Sequence, residues 1–156
     1  MSQVHVLERE QIVPRPRSEV FAFFEDAANL ERMTPAFLHF RVLTPPPIVM
    51  SAGTLIDYRI RLFGAPLRWR TKIESYEPGL RFIDTQLRGP YKSWRHLHEF
   101  SDVPGGTRMI DRVEYEMPFG PLGTVARALF VKLTLGRIFD FRRDVIAALY
   151  PALTSS

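Results

Sequence analysis

The chain has 156 residues, 46% of them hydrophobic and 24% charged, with a formal net charge of +4 and no cysteine. That length suits one domain (1–156) with a sizeable core, and no stretch approaches the roughly 18 apolar residues of a membrane span. Without cysteine there is no disulfide framework and no thiolate chemistry, and "MSQVHVLERE" lacks a signal-peptide core, so a cytoplasmic protein is expected.

Taken in order, "VHVLEREQIV" (4–13) is rich in strand formers and runs into the breaker "PRPR". "SEVFAFFED" follows, with Ser18 as the expected N-cap and Val20, Phe21, Phe23 and Phe24 grouped as core. A second short helix, "AANLERM", stops at Thr34–Pro35, and "LHFRVL" (38–43) is a short strand ended by the prolines of "TPPP". A period of two then takes over. In 54–62, Ile56, Tyr58 and Ile60 oppose Asp57, Arg59 and Arg61, and in 67–76, Leu67, Trp69, Thr71 and Ile73 oppose Arg68, Arg70, Lys72 and Glu74.

The turn "EPGL" (77–80) leads into 81–88, where Ile83, Thr85 and Leu87 form the more apolar face. "SWRHLHEF" (93–100) aligns Trp94, His96, His98 and Phe100, and "TRMIDRVEYEM" (107–117) aligns Met109, Asp111, Val113 and Tyr115. One long apolar helical pattern fills 121–150, with Gly136 a candidate bend or close-packing point. Consecutive antiparallel strands make one sheet with one dry face, and only the last helix is large enough to cover it.

The segments "SEVFAFFEDAANLERMTP", "GTLIDYRI", "WRTKIESYEPGLRFIDTQLRGPYKSWRHLHEF" and "GGTRMIDRVEYEMPFG" resemble the SRPBCC superfamily. These are START-like helix-grip proteins that include polyketide cyclases and birch-pollen-allergen-like carriers, and this chain looks like a stand-alone bacterial member. The resemblance implies an α+β helix-grip fold: a seven-stranded antiparallel sheet around a long C-terminal helix, with two short helices after strand 1. It also implies a cavity between sheet and helix, a gate near the start of the last helix, and Asp84 and Gln86 turned inward. It guarantees no chemistry.

If "VPGG" closes a hairpin, Phe100 faces Met109, His98 faces Asp111, His96 faces Val113 and Trp94 faces Tyr115. A hydrogen bond between His98 and Asp111 is the expected contact. With the inward Asp84 and Gln86, the polar cluster is Asp84, Gln86, His96, His98 and Asp111, ringed by Trp69, Trp94 and Tyr115. Tyr58, Trp69, Phe82, Trp94 and Met109 are the expected cavity lining, and "MPFGPLG" (117–123) with "TPPP" the expected entrance.

Four readings compete for the cluster: first a self-satisfied network, second recognition of a ligand's polar end, and then, ranked alike, a metal site on His96 and His98 and acid–base catalysis by His98 with Asp111. The preferred function is binding of a hydrophobic or aromatic small molecule, a lipid, quinone or polyketide-like compound, without cofactor or metal. The alternative is a cyclase or dehydratase acting on a polyketide-like substrate. A third reading has the basic sheet face approach anionic headgroups transiently, without stable insertion. Nucleic acid is not an expected partner: Trp69 and Trp94 sit between arginines, but their parity turns them to the dry face. The arginines are interleaved with acids, as in "RVEYE", so a solvated face is preferred to a polyanion site.

Overall fold

The structure, a computed structural model, describes residues 3–62, 64–117 and 124–152. The expected strands and helices form where the periodicity places them. Strand β1 (Val4–Val13) leads into α1 (Arg17–Glu25), a 3-10 turn at Ala27–Asn29 and α2 (Leu30–Met33). The remaining strands are β2 (Arg41–Val42), β3 (Leu55–Leu62), β4 (Ala65–Glu77), β5 (Arg81–Arg88), β6 (Ser93–Val103) and β7 (Gly106–Glu116). Helix α3 (Thr124–Leu149) ends the fold. The seven strands form one antiparallel sheet in the order β1-β7-β6-β5-β4-β3-β2. This is the helix-grip arrangement.

Three local expectations are corrected. Ser18 is not the N-cap: α1 begins at Arg17, and the Pro16 carbonyl accepts the N–H groups of Glu19 and Val20 at 3.1 and 3.2 Å. Proline supplies a preset φ there, so no capping side chain is needed. The strand expected at 38–43 shrinks to Arg41–Val42, because Ala36–Leu38 is a 3-10 turn and His39 adopts a left-handed φ of 47°. Gly136 is not a close-packing point: a Cβ there would meet only the Arg9 guanidinium, at 3.7 Å, and α3 runs through it without a break.

The "VPGG" hairpin forms in the expected register, with Gly105 at φ +83° supplying the left-handed turn residue. Between sheet and helices lie three contiguous apolar clusters. Val20, Phe21 and Phe24 of α1 meet Phe82, Phe100, Met109 and Ile146. Ile56, Tyr58 and Ile73 gather around Ala27. Val113 and Tyr115 meet Leu135 and Phe139 of α3. The middle of the sheet, between these clusters, holds the polar groups.

Candidate functional site

On β6 every second side chain turns inward, which places His96 and His98 side by side under α3. Their relative exposures are 5% and 4%, and the rings stack with centroids 3.7 Å apart. Phe82 stacks on the other face of His98 at 4.2 Å, and Phe139 meets His96 edge-on at 5.6 Å. Two carboxylates flank the pair, Asp84 from β5 and Asp111 from β7. Arg142 reaches down from α3, 8% exposed, with its guanidinium 4.9 Å over the Phe24 ring.

The pairing differs from the expected one. His98 does lie opposite Asp111 in the backbone register, but its short bond runs from Nε2 to Asp84 Oδ2 at 2.7 Å. Asp111 Oδ1 accepts instead from His96 Nε2 at 2.8 Å, and stands 3.5 Å from His98 Nδ1. Each histidine therefore bonds a carboxylate diagonal to it rather than directly opposite. Strand side chains lean along the strand direction, and diagonal neighbours lie within reach of long or aromatic side chains.

Arg142 joins both halves: its Nη2 lies 3.3 Å from Asp111 Oδ1 and 3.4 Å from His98 Nδ1. Both carboxylates sit below their usual pKa. Burial alone would raise them. For Asp84 the His98 hydrogen bond and the charges of His96, His98 and Arg142 reverse that, and for Asp111 the Arg142 charge and the His96 hydrogen bond do so. The pKa of His98 moves down to about 4, first through burial and then through the charge of His96, with Asp84 only partly opposing. Desolvation thus outweighs the partner. We assign His98 as neutral with the proton on Nε2, since ionised Asp84 can only accept and Arg142 can only donate to Nδ1.

Arg142 was not anticipated, because "DFRRD" reads as a solvated face. Its signal was the helical spacing: Leu135, Phe139, Arg142 and Ile146 form one buried stripe with steps of four, three and four. Its Nε is buried without a hydrogen-bond partner among the described residues.

The remaining predicted site residues divide. Gln86 faces inward but is spent on the chain itself: its Nε2 donates to the Tyr91 carbonyl at 2.8 Å and its Oε1 accepts the Tyr91 N–H at 3.2 Å. Trp69, Trp94 and Tyr115 gather with Tyr91 in an aromatic group, with Trp69 5.2 Å from Trp94 and Trp94 6.2 Å from His96. Tyr58 and Phe82 line one small cavity of about 30 Å³ with Asp84, His98 and Arg142. Met109 lines a second of the same volume with Asp111 and Arg142. Among the described residues both are water-sized rather than the single ligand-sized chamber expected, and Trp69 and Trp94 line neither. A groove of about 890 Å³, lined by Val42, Ile48 and Val49 among others, shares Glu25 and Met50 with the lining of the first cavity. "TPPP" contributes Thr44, Pro46 and Pro47 to that groove, whereas 118–123 of the expected entrance lie outside the described residues.

Asp84, His96 and His98 also present donor atoms within 4.8 Å of one another, a spacing a metal ion could bridge. Two features oppose it. The stacked rings keep their in-plane lone pairs from converging on one point, and Arg142 already places a positive charge against the cluster.

The model of the family described as polyketide cyclase / dehydrase and lipid transport matches residues 13–141. The chain belongs to that family. No curated protein matches it in sequence. Among solved structures it is similar to the ZhuI aromatase/cyclase from a Streptomyces species, with 11% identity over 95% of this chain and 94% of that one and a TM-score of 0.74. The di-domain ARO/CYC StfQ from the steffimycin biosynthetic pathway is 14% identical, with 94% of this chain and 50% of that one covered and a TM-score of 0.72. A Thermus thermophilus protein, TTHA0849, is 17% identical over 93% and 99%, at a TM-score of 0.69. At such identities the likeness is one of fold. The helix-grip fold thus carries a buried His/His/Asp/Asp/Arg cluster consistent with a ligand pocket or a catalytic site.

Proposed function

We propose that the protein is a cyclase or dehydratase that works by acid–base chemistry on a polyketide-like substrate, with His98 as the proton-transfer group. The observation that carries this reading is the environment of His98. Its imidazole is held neutral, with Nε2–H fixed on Asp84 at 2.7 Å and Nδ1 turned toward the Arg142 guanidinium. That is a base with an orienting carboxylate behind it and a cation in front. The family's description and the aromatase/cyclase names of ZhuI and StfQ support the same class.

In this reading Nδ1 of His98 takes a proton from a methylene flanked by two carbonyls. Arg142, which has a spare buried Nε–H, supports the enolate oxygen as charge develops there. The enolate carbon attacks a second carbonyl of the same chain and forms a carbon–carbon bond. The imidazolium, stabilised through Nε2–H by Asp84, returns that proton to the new alkoxide to give a hydroxyl. Nδ1 then takes the second proton of the former methylene and passes it to this hydroxyl, which leaves as water as the carbon–carbon double bond forms. Asp111 and His96 hold Arg142 and the ring stack in place. Substrate enters from the outer groove by displacing Met50, since the cavities beside the cluster hold no more than water.

A second reading, carriage of a largely apolar small molecule, draws support from the groove of about 890 Å³, where Ile48, Val49 and Met50 stand beside Glu25, Asp26 and Glu31. A synthetic poly-β-ketone thioester separates the two. The enzyme reading expects the wild type to accelerate the appearance of cyclised, dehydrated product by mass spectrometry, and His98→Ala to lose that acceleration while still binding. Tight binding by both proteins with no acceleration by the wild type would leave the carrier reading.

A further inference from the structure

The outer face of the sheet, the one turned away from α3, carries charged side chains on both of its halves, but in two different ways. Across β1, β7 and β6 the charges interlock. Arg108 pairs with Glu10 at 2.9 Å, Arg112 with Glu8 at 3.0 Å and with Glu114 at 3.2 Å, and Arg95 reaches across to Glu74 at 3.0 Å. That half is a solvated sheet face of the ordinary kind.

Across β2, β3 and β4 the pattern fails. Arg41 is the direct cross-strand neighbour of Arg59, and Arg59 of Arg68, so three arginines stand in a row at strand spacings of about 4.8 Å. Arg70 lies opposite Arg88 on β5, and Arg61 and Lys72 extend the same face. Asp57, bound to Arg70 at 2.8 Å, Glu74, bound to Arg95, and Glu77, 3.6 Å from Arg81, are the acids of this half. Among the described residues no ion pair engages Arg41, Arg59, Arg61, Arg68, Arg88 or Lys72, and all six are exposed. Like charges directly opposite one another cost stability. Protection of a sheet edge accounts for charges on β2 and on the part of β3 that β2 leaves unpaired. It does not account for Arg68 and Arg88, which lie on inner strands.

We infer that this arginine half is a docking surface for an anionic lipid bilayer. Charge complementarity calls for an anionic partner. The face offers no exposed aromatic platform for single-stranded nucleic acid, because Trp69 and Trp94 turn inward. Nor does it offer the aromatic anchor that dominates protein interfaces. What accompanies the arginines is aliphatic: Leu43 and Leu55, 38% and 46% exposed, project from the same face. A distributed basic patch with small apolar projections needs no matching pocket, and a headgroup layer has none. No helix among the described residues is long and apolar enough to cross a membrane, so the contact is superficial.

The test is co-sedimentation with vesicles of phosphatidylcholine alone and of phosphatidylcholine mixed with phosphatidylglycerol, at low and high salt. Binding is expected to the mixed vesicles only, and to fall as salt rises. Arg59→Glu with Arg88→Glu should weaken it by at least roughly tenfold. The same changes convert like-charge neighbours into opposite pairs, so the thermal midpoint should hold or rise, which separates lost docking from lost fold. Arg108→Gln, on the paired half, should leave binding unchanged. Equal binding to both vesicles, no binding to either, or binding that survives the double reversal but falls with Leu133→Gln on exposed α3 would overturn the inference. So would a salt-sensitive preference for duplex RNA or polyglutamate without vesicle binding.

Discussion

Lowering the pH tests the buried histidine directly. His98 moves from an ordinary value of 6.5 to about 4 in the fold, so between these values the unfolded chain binds a proton that the folded one refuses. Stability therefore rises with pH across that window: it is fully present above 6.5 and is lost as pH falls toward 4. At 1.36 kcal/mol for each pH unit, the depression corresponds to about 3 kcal/mol, most of it lost by about pH 4.5. Asp84 and Asp111, both lowered, act in the same direction but below their ordinary value of 3.8, so they contribute little in this interval. Urea unfolding followed by tryptophan fluorescence should show a loss of about 2–3 kcal/mol between about pH 7 and pH 4.5 in the wild type. His98→Asn should flatten most of that slope. Nitrogen NMR at neutral pH should find His98 protonated at Nε2 and bare at Nδ1. A slope that His98→Asn leaves intact, or an imidazolium at His98 near pH 6, would refute the argument.

Arg142→Met removes the cation that lies 3.3 Å from Asp111 and should cost about 3 kcal/mol in urea unfolding, because a buried carboxylate is stranded; a loss below about 1 kcal/mol would show the pair to be solvated. The same change should raise the pKa of His98, since the Arg142 charge is among the causes that lower it. Gln86→Ala deletes both bonds to the Tyr91 backbone, so about 1–2 kcal/mol should be lost and hydrogen exchange around 89–92 should quicken, with the His98 titration unmoved.

How much of this was legible in the sequence depended on the range of the interaction. Period-two alternation in 54–62, 67–76 and 107–117 fixed which side chains turn inward, and the short "VPGG" connection fixed the register of β6 on β7 to the residue. Those are local properties. The choice of carboxylate for each histidine was not: it depends on how two imidazoles lean once stacked, and a register can name only the residue directly opposite. The inward turn of Asp84 came from family resemblance, against the hydrophobicity of its strand, and Phe82 stacked on His98 shows why the polar face won. Arg142 carried a usable signal in its spacing with Phe139 and Ile146, obscured by the charged residues on either side. The large groove was invisible because it arises where the loop 42–50 meets α1 and α2, a tertiary junction without periodicity.

The energetics of the cluster bear on why it is there. Five ionisable side chains occupy the centre of a core that apolar residues of similar volume could fill. Exchanging a buried ionic group for well-packed hydrophobic ones is often neutral or stabilising, by about 1–4 kcal/mol, whereas removing one member alone is costly. Stability alone therefore gives a weak reason for the quartet of two histidines and two aspartates, and no reason for an arginine brought from α3 with one buried N–H left unbonded. Register specification is a further candidate, yet "VPGG" and the alternation already set the register of β6 against β7. What remains is a property that apolar residues cannot supply: a neutral imidazole and a fixed guanidinium at one point, beside a cavity that shares Glu25 and Met50 with a groove large enough for a small molecule.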